Sequence, residues 1–172
     1  MVSMGLQMGL ESGQHCKRQH RWMFKVNTII GDVTASRALP PEKAMRPNVS
    51  FKEGSAHHLI EDVFFPVKPE WKPITITVFD LRKNENALFS WLTEMYDPKN
   101  GLFFEPNLFN GQGGFIREAY LEMYDGCGNR LERWIYEDAW PQNINFLGLD
   151  MNQTGIVMAE ITLRYARAYL DA

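Results

Sequence analysis

Along most of this chain of 172 residues, apolar and polar side chains alternate with a period of two, the mark of strands whose two faces meet different surroundings. From Arg117 to Asp125, Ala119, Leu121 and Met123 fall on one face and Glu118, Tyr120, Glu122 and Tyr124 on the other. Asp125-Gly126-Cys127-Gly128-Asn129 supplies the residues of a tight reversal, and Arg130 to Asp138 returns as a second strand through Trp134, Ile135 and Tyr136. Val157 to Tyr165 sets Val157, Ala159, Ile161, Leu163 and Tyr165 against Met158, Glu160, Thr162 and Arg164. Arg21 to Ile30 does the same with Trp22, Phe24 and Val26 opposite Met23, Lys25 and Asn27. Ile74 to Phe79 is β-branched and nearly apolar on both faces, which predicts a central strand. Asn48 to Glu53 and His57 to Pro66, around a turn at Gly54-Ser55, predict a further hairpin.

The period changes once. Leu88, Trp91, Leu92 and Met95 recur at i, i+3, i+4 and i+7, which predicts an amphipathic helix over Ala87 to Tyr96 with Asn84 or Asn86 as its N-cap. Asp97-Pro98-Lys99-Asn100-Gly101 ends it, and those four large side chains are the stripe expected to dock on a sheet. Gly31 to Pro47, with prolines at 40, 41 and 47, reads as a long surface loop, and Gly101 to Gly114 as an irregular connection. Residues 1–20 show no periodicity and read as a flexible N-terminal arm, leaving 21–172 as a single domain. That length buries an adequate core without a disulfide or a structural metal.

Composition narrows the function. A formal charge of -3 and a pI near 5.8 oppose tight binding to a phosphate backbone, which needs a surplus of Lys and Arg. No apolar run approaches the roughly 20 residues of a spanning helix; the densest is Val63-Phe64-Phe65-Pro66-Val67. The first residues lack the basic and apolar regions of a secretory signal, so a cytosolic origin is expected. Cys16 and Cys127, far apart in sequence, read as free thiols.

Candidate chemistry is weak throughout. His57 and Glu61 share a strand face but stand about 13 Å apart at roughly 3.3 Å per residue, too far for one ion. His15, Cys16 and His20 lack a fourth ligand, and Lys17, Arg18, His20 and Arg21 form a small basic cluster that reads as solvated. No phosphate loop, nucleophile elbow or dinucleotide fingerprint occurs. Neither a catalytic set, a metal site nor a cofactor is therefore expected.

Five segments in this order carry a resemblance: Lys68 to Asp80, the helix with Trp91-Leu92, Leu121 to Asn129, Glu137-Asp138-Ala139-Trp140-Pro141, and Ile161 to Tyr165. Together they resemble the tail-tube protein family of contractile-tailed bacteriophages, whose relatives include type VI secretion tube proteins. The resemblance implies a mainly β fold, a β-barrel or sandwich of two packed antiparallel sheets with one flanking α-helix. It also implies a structural role without enzymatic activity: hexameric rings of the chain stacked into the inner tube of a phage tail, assembled in the host cytoplasm. Tail sheath, baseplate and tail terminator proteins are the implied partners, DNA is present only in transit, and nothing inserts in a membrane. On that basis Glu118, Glu122 and Glu132 are candidates to face the lumen, from the non-core side of the hairpin. Leu39, Pro40, Pro41, Glu42 and Lys43 are candidates for contact between subunits or rings. A tube of a type VI secretion or extracellular contractile injection system, and a monomeric β-sandwich binding module or hydrolase, are the alternatives.

Overall fold

Strands that alternate in this way bury one face only if another layer covers it, and here the sheet provides that layer by closing on itself. The computed structural model describes residues 20–30, 33–39, 41–57, 60–80, 87–103, 115–152 and 154–171. In chain order the elements are β1 Trp22–Ile30, β2 Val33–Leu39, β3 Pro41–Ala44, β4 Asn48–His57, β5 Asp62–Lys72 and β6 Ile74–Phe79. Helix α1 Ala87–Met95 follows, then β7 Tyr96–Asp97, β8 Leu102–Phe103, β9 Arg117–Tyr124, β10 Arg130–Phe146, β11 Met158–Arg164 and β12 Arg167–Asp171. Strands run in the order β2-β1-β9-β10-β11-β6-β3 with β12 also beside β10, every pair antiparallel. Only Pro40 separates β2 from β3, the two ends of that order, so the chain itself joins the margins and curls the sheet into a barrel.

The other corner is made inside β10. Its first half pairs with β9 and β12 and its second half with β11. Between the halves the pairing with β9 jumps from Tyr136 to Ala139, and Asp138 takes a left-handed φ of 52°. An extra residue in one strand bends it and re-aims the residues beyond the bend, which carries β10 from one side of the barrel to the other.

Phe24, Ile74, Ile76, Val78, Tyr136, Ile161 and Leu163 fill the interior. Each contributes about 1.5 to 3 kcal/mol by leaving water. Phe24, Tyr136, Tyr165 and Trp71 form a row of rings with centroids 6.1, 5.1 and 6.0 Å apart, which ties β1 to the base of β5. Helix α1 closes the barrel with Leu88 and Trp91, both buried, while Leu92 and Met95 are half-buried. Trp91 Nε1 donates to the Phe115 carbonyl at 2.6 Å, and Glu94 pairs with Arg117 at the start of β9. β4 and β5 form a separate two-stranded sheet that leaves the barrel as an arm.

Several expectations are corrected. Gly31 to Pro47 is not a loop: it supplies β2 and β3, because Pro41 can occupy a strand beside a register shift where no amide is required. The turn of the β4–β5 hairpin lies after His57 and not at Gly54, which pairs with Phe65 within the strands. A side chain at Gly54 would meet the Phe65 ring and Val67 at 2.7 Å, so this glycine serves a close approach. β10 continues past Asp138 to Phe146 through Pro141, again at a register shift. The expected turn at Asp125 is present: Asp125 Oδ1 accepts from the Cys127 and Asn129 amides at 2.7 and 2.8 Å, and Gly128 has a φ of 88°. Residues 1–19 of the expected N-terminal arm and the helix N-cap candidates Asn84 and Asn86 lie outside the described residues.

If backbone strain at the bulge matters more than the Asp138 side chain, Asp138→Val lowers unfolding stability by about 1 to 2 kcal/mol and Asp138→Gly does not lower it. Urea denaturation of both variants checks this; equal losses would assign the effect to the carboxylate.

Candidate functional site

Two surfaces stand out, and the first is the outer face of β1, β9, β10 and β12. Alternation aims Phe24, Leu121 and Tyr136 inward, so their neighbours Lys25, Asn27, Glu118, Tyr120, Glu122, Arg133, Tyr169 and Asp171 share the opposite face. Glu122 is its centre, with Lys25 Nζ at 2.7 Å, Arg133 Nε at 3.4 Å and Arg130 at 3.7 Å. Tyr124 donates to the same carboxylate at 2.5 Å. These groups cover Glu122 so fully that it is 4% exposed. Burial pushes its pKa up, but hydrogen bonds from Lys25 and Tyr124 and the charges of Lys25 and Arg133 outweigh it and hold the carboxyl below its usual range. The same hydrogen bond to Glu122 raises the pKa of Lys25.

A second set continues along the face. Tyr120 donates to Glu118 at 2.5 Å, accepts from Asn27 Nδ2 at 2.7 Å, and lies under the Arg133 guanidinium at 3.9 Å from the ring centre. Burial, then the hydrogen bond to Glu118 and that carboxylate's charge, push its pKa up to about 12. Asp171 stands 3.9 and 4.0 Å from Arg130 and Arg133, and Arg167 pairs with Glu137. Carboxylates and cations on this face largely satisfy one another, which leaves a polar wall with little net charge.

The lumen candidates divide on this geometry. Glu118 and Glu122 share the outer face, Glu118 exposed and Glu122 covered. Glu132 is on the opposite face, 5% exposed, paired with Arg46 and accepting from Trp134 Nε1. Unbroken alternation from Glu132 through Trp134 to Tyr136 puts it on the core side, whereas the register shift between Arg130 and Glu132 leaves Arg130, of the same parity, on the outer face beside Glu122. Of the contact candidates, Leu39 is 2% exposed in the core, Pro41 is half-buried, and Glu42 and Lys43 are exposed on β3; Pro40 lies outside the described residues. Lys25 and Arg133 pair with the Glu122 carboxylate and Asn27 donates to Glu118; strand parity places Lys25 and Asn27 on this face, but only the tertiary pairing of β1, β9 and β10 shows these contacts.

The face also has open margins. Among the described residues β12 pairs only with β10 and β2 only with β1, so the sheet β2-β1-β9-β10-β12 ends there in an unpaired strand on each side. Unpaired strand edges invite another strand. The second surface is the β4–β5 arm, where Phe51 and Phe64 are 63% and 62% exposed and Val63, Phe65 and Val67 are exposed beside them. Among the described residues no three His, Cys, Asp or Glu side chains converge to hold a metal ion, and no helix is long and apolar enough to cross a membrane.

The fold is shared with subunits of contractile injection systems. The chain matches a subunit in the cryo-EM structure of an extracellular contractile injection system, the PVC sheath/tube terminator in its extended state. That match has a TM-score of 0.70 at 15% identity, over 94% of this chain and 100% of the other. It also matches a subunit of the anti-feeding prophage baseplate, solved with 6-fold symmetry, with a TM-score of 0.69 at 7% identity over 91% and 96%. In sequence the chain is similar to the tail tube protein of Serratia phage KSP90, 25% identical over 170 residues, 94% of this chain and 93% of the relative. No family model matches the chain.

Because its folded-state pKa is depressed, Glu122 contributes stability that is fully present above the unfolded-chain value near 4.5 and is lost as pH falls through the folded value. Glu122→Gln is expected to cost about 1 to 3 kcal/mol at pH 7. The gap between variant and parent closes as pH drops below 4.5, read from denaturation midpoints across pH; a gap independent of pH would remove the carboxylate from this account.

Proposed function

We propose that this chain is the structural, non-enzymatic subunit of the inner tail tube of a contractile phage. Copies close into hexameric rings, the rings stack, and DNA passes through the lumen to leave the particle. The observation that carries the reading is the five-stranded sheet β2-β1-β9-β10-β12, polar on its outer face and open at both edges. β12 of one copy meets β2 of the next, and repetition of one heterologous contact about an axis closes a ring.

Size supports the ring. Six copies of five strands, at roughly 4.8 Å per strand, make a wall on the order of 45 Å across at the backbone, wide enough for a DNA duplex. Lys25, Glu118, Tyr120, Glu122 and Arg133 then line the lumen. Their charges are engaged with one another, so passing phosphates find few free cations and release few counterions. Glu42 and Lys43, exposed on β3, stand toward neighbouring copies. Similarity to a phage tail tube protein across 94% of the chain favours a virion tail over a secretion tube. Sheath, baseplate and terminator proteins are the partners that the fold's occurrence in such assemblies suggests.

Negative-stain microscopy of concentrated protein is expected to show rings or tubes with a stain-filled centre; a monodisperse monomer under all conditions overturns the proposal. In β12 successive amides point to opposite sides, so proline at Tyr169 or at Leu170 removes an amide facing β10 in one variant and an outward amide in the other. The variant that keeps its melting temperature should lose ring formation. Rings formed by that variant would show that this edge is free in the assembly.

A further inference from the structure

Cations on the two sides of the barrel are treated differently. On the face around Glu122, Lys25, Arg130, Arg133 and Arg167 are all ion-paired. On the other side Lys52, Lys68 and Arg164 border one hollow of about 320 Å³, where β4 and β5 meet the end of β11. Among the described residues none of these three is ion-paired, and Glu70 is the one carboxylate on the hollow's lining.

The backbone gathers the three charges. β11 buries Ala159, Ile161 and Leu163, so Glu160, Thr162 and Arg164 point out of the barrel, away from the core. Arg164 Nη1 donates to the Trp71 carbonyl at 3.3 Å, which holds the guanidinium beside the end of β5. Phe51 pairs with Pro69 and Glu53 with Pro66, so Lys52 stands alone against Val67 and Lys68. Such a bulge re-aims the side chains around it, and this one brings two lysines together across neighbouring strands. Like charges so placed repel, and an arriving anion turns that repulsion into attraction. Trp71 and Tyr165, with ring centroids 6.0 Å apart, form the floor.

The surroundings select the kind of anion. Beside Arg164 the outward positions are uncharged, with Thr162 paired to Thr75 on one side and Asn143 on the other. Glu160, the acidic residue on the same strand face, is about 13 Å from Arg164 at roughly 3.3 Å per residue. A nucleic acid backbone is gripped by an extended basic track, which three cations in a chain of net charge -3 do not make. A hollow of this size admits a few side chains, and its cations match carboxylates carried on one short stretch of polypeptide. We infer that it receives an acidic segment of a different protein that encloses the tube, with carboxylates against Lys52, Lys68 and Arg164. This rests on the tube reading, in which the face around Glu122 lines the lumen and Arg164 is turned outward.

The test measures fluorescence anisotropy of a fluorescein-labelled hexaglutamate peptide added to the assembled full-length protein. Saturable binding is expected, weakening as salt rises from about 50 to about 500 mM. The double variant Lys52→Ala, Lys68→Ala and the single variant Arg164→Ala should each bind at least about tenfold more weakly. Lys52→Arg with Lys68→Arg should restore the affinity, and Lys99→Ala, an exposed cation on the β7–β8 turn, should not change it. Melting temperatures of the variants show that the fold is kept. No binding at low salt, or equal binding by the double variant, overturns the site while tubes in micrographs leave the tube reading standing. A labelled DNA duplex held as tightly as hexaglutamate, and lost with the same substitutions, overturns the choice of a protein segment. Peptide binding by protein that never forms tubes overturns the enclosing partner together with the tube.

Discussion

Everything here depends on making a half-apolar sheet close on itself. A flat sheet of these strands would leave Phe24, Ile76, Ile161 and Tyr136 facing water, at about 1.5 to 3 kcal/mol each. The chain turns two corners to avoid that: one between β2 and β3, which pair with β1 and β6, and one inside β10 at Asp138. The second requires a non-glycine residue in the left-handed region, a cost of about 1 to 2 kcal/mol that the enclosed core exceeds many times over. Once both corners exist, the polar side of β1, β9, β10 and β12 is turned outward with no freedom to do otherwise.

Outward does not mean loosely solvated. Glu122 is nearly as buried as the core residues, and a buried carboxylate is tolerable only when its lone pairs and charge are met. Lys25, Tyr124, Arg133 and Arg130 meet them, drawn from three elements: β1, β9 and β10. The network therefore fastens neighbouring strands through side chains on the face opposite the apolar core. A wall held on both faces resists bending, and its charges have partners before any ligand arrives. Rigidity and low adhesion are the two properties the proposed conduit needs.

Where local pattern and tertiary pairing agree, the elements are legible in the sequence. Ile74 to Phe79 is central as its composition requires, Asp125 to Asn129 reverses the chain, and Leu88 and Trp91 dock the helix. The rest was hidden by signals with two meanings. Prolines at 40, 41 and 141 suggest loops and breaks, yet Pro41 and Pro141 lie in strands beside register shifts where a missing amide costs little. Gly54-Ser55 suggests a turn, yet Gly54 makes room for Phe65. Glu132 has the parity of Trp134 and Tyr136 and so lies on the core side, next to Arg46, but Arg130, of the same parity on paper, stands on the outer face beside Glu122 because one extra residue intervenes. Bulges carry no compositional mark, so the parity of every residue beyond one is a tertiary fact.

The strand count of the open-edged sheet has a further consequence for the proposed ring. Four antiparallel steps separate β2 from β12, so the two edge strands run in the same direction. Rotation about an axis roughly along the strands preserves direction, and β12 therefore meets the next copy's β2 in parallel. Parallel pairing is slightly weaker per residue than antiparallel pairing, and β12 offers only five residues to it. At about 0.5 to 1.5 kcal/mol net for each hydrogen bond, such a junction holds a ring poorly at low concentration.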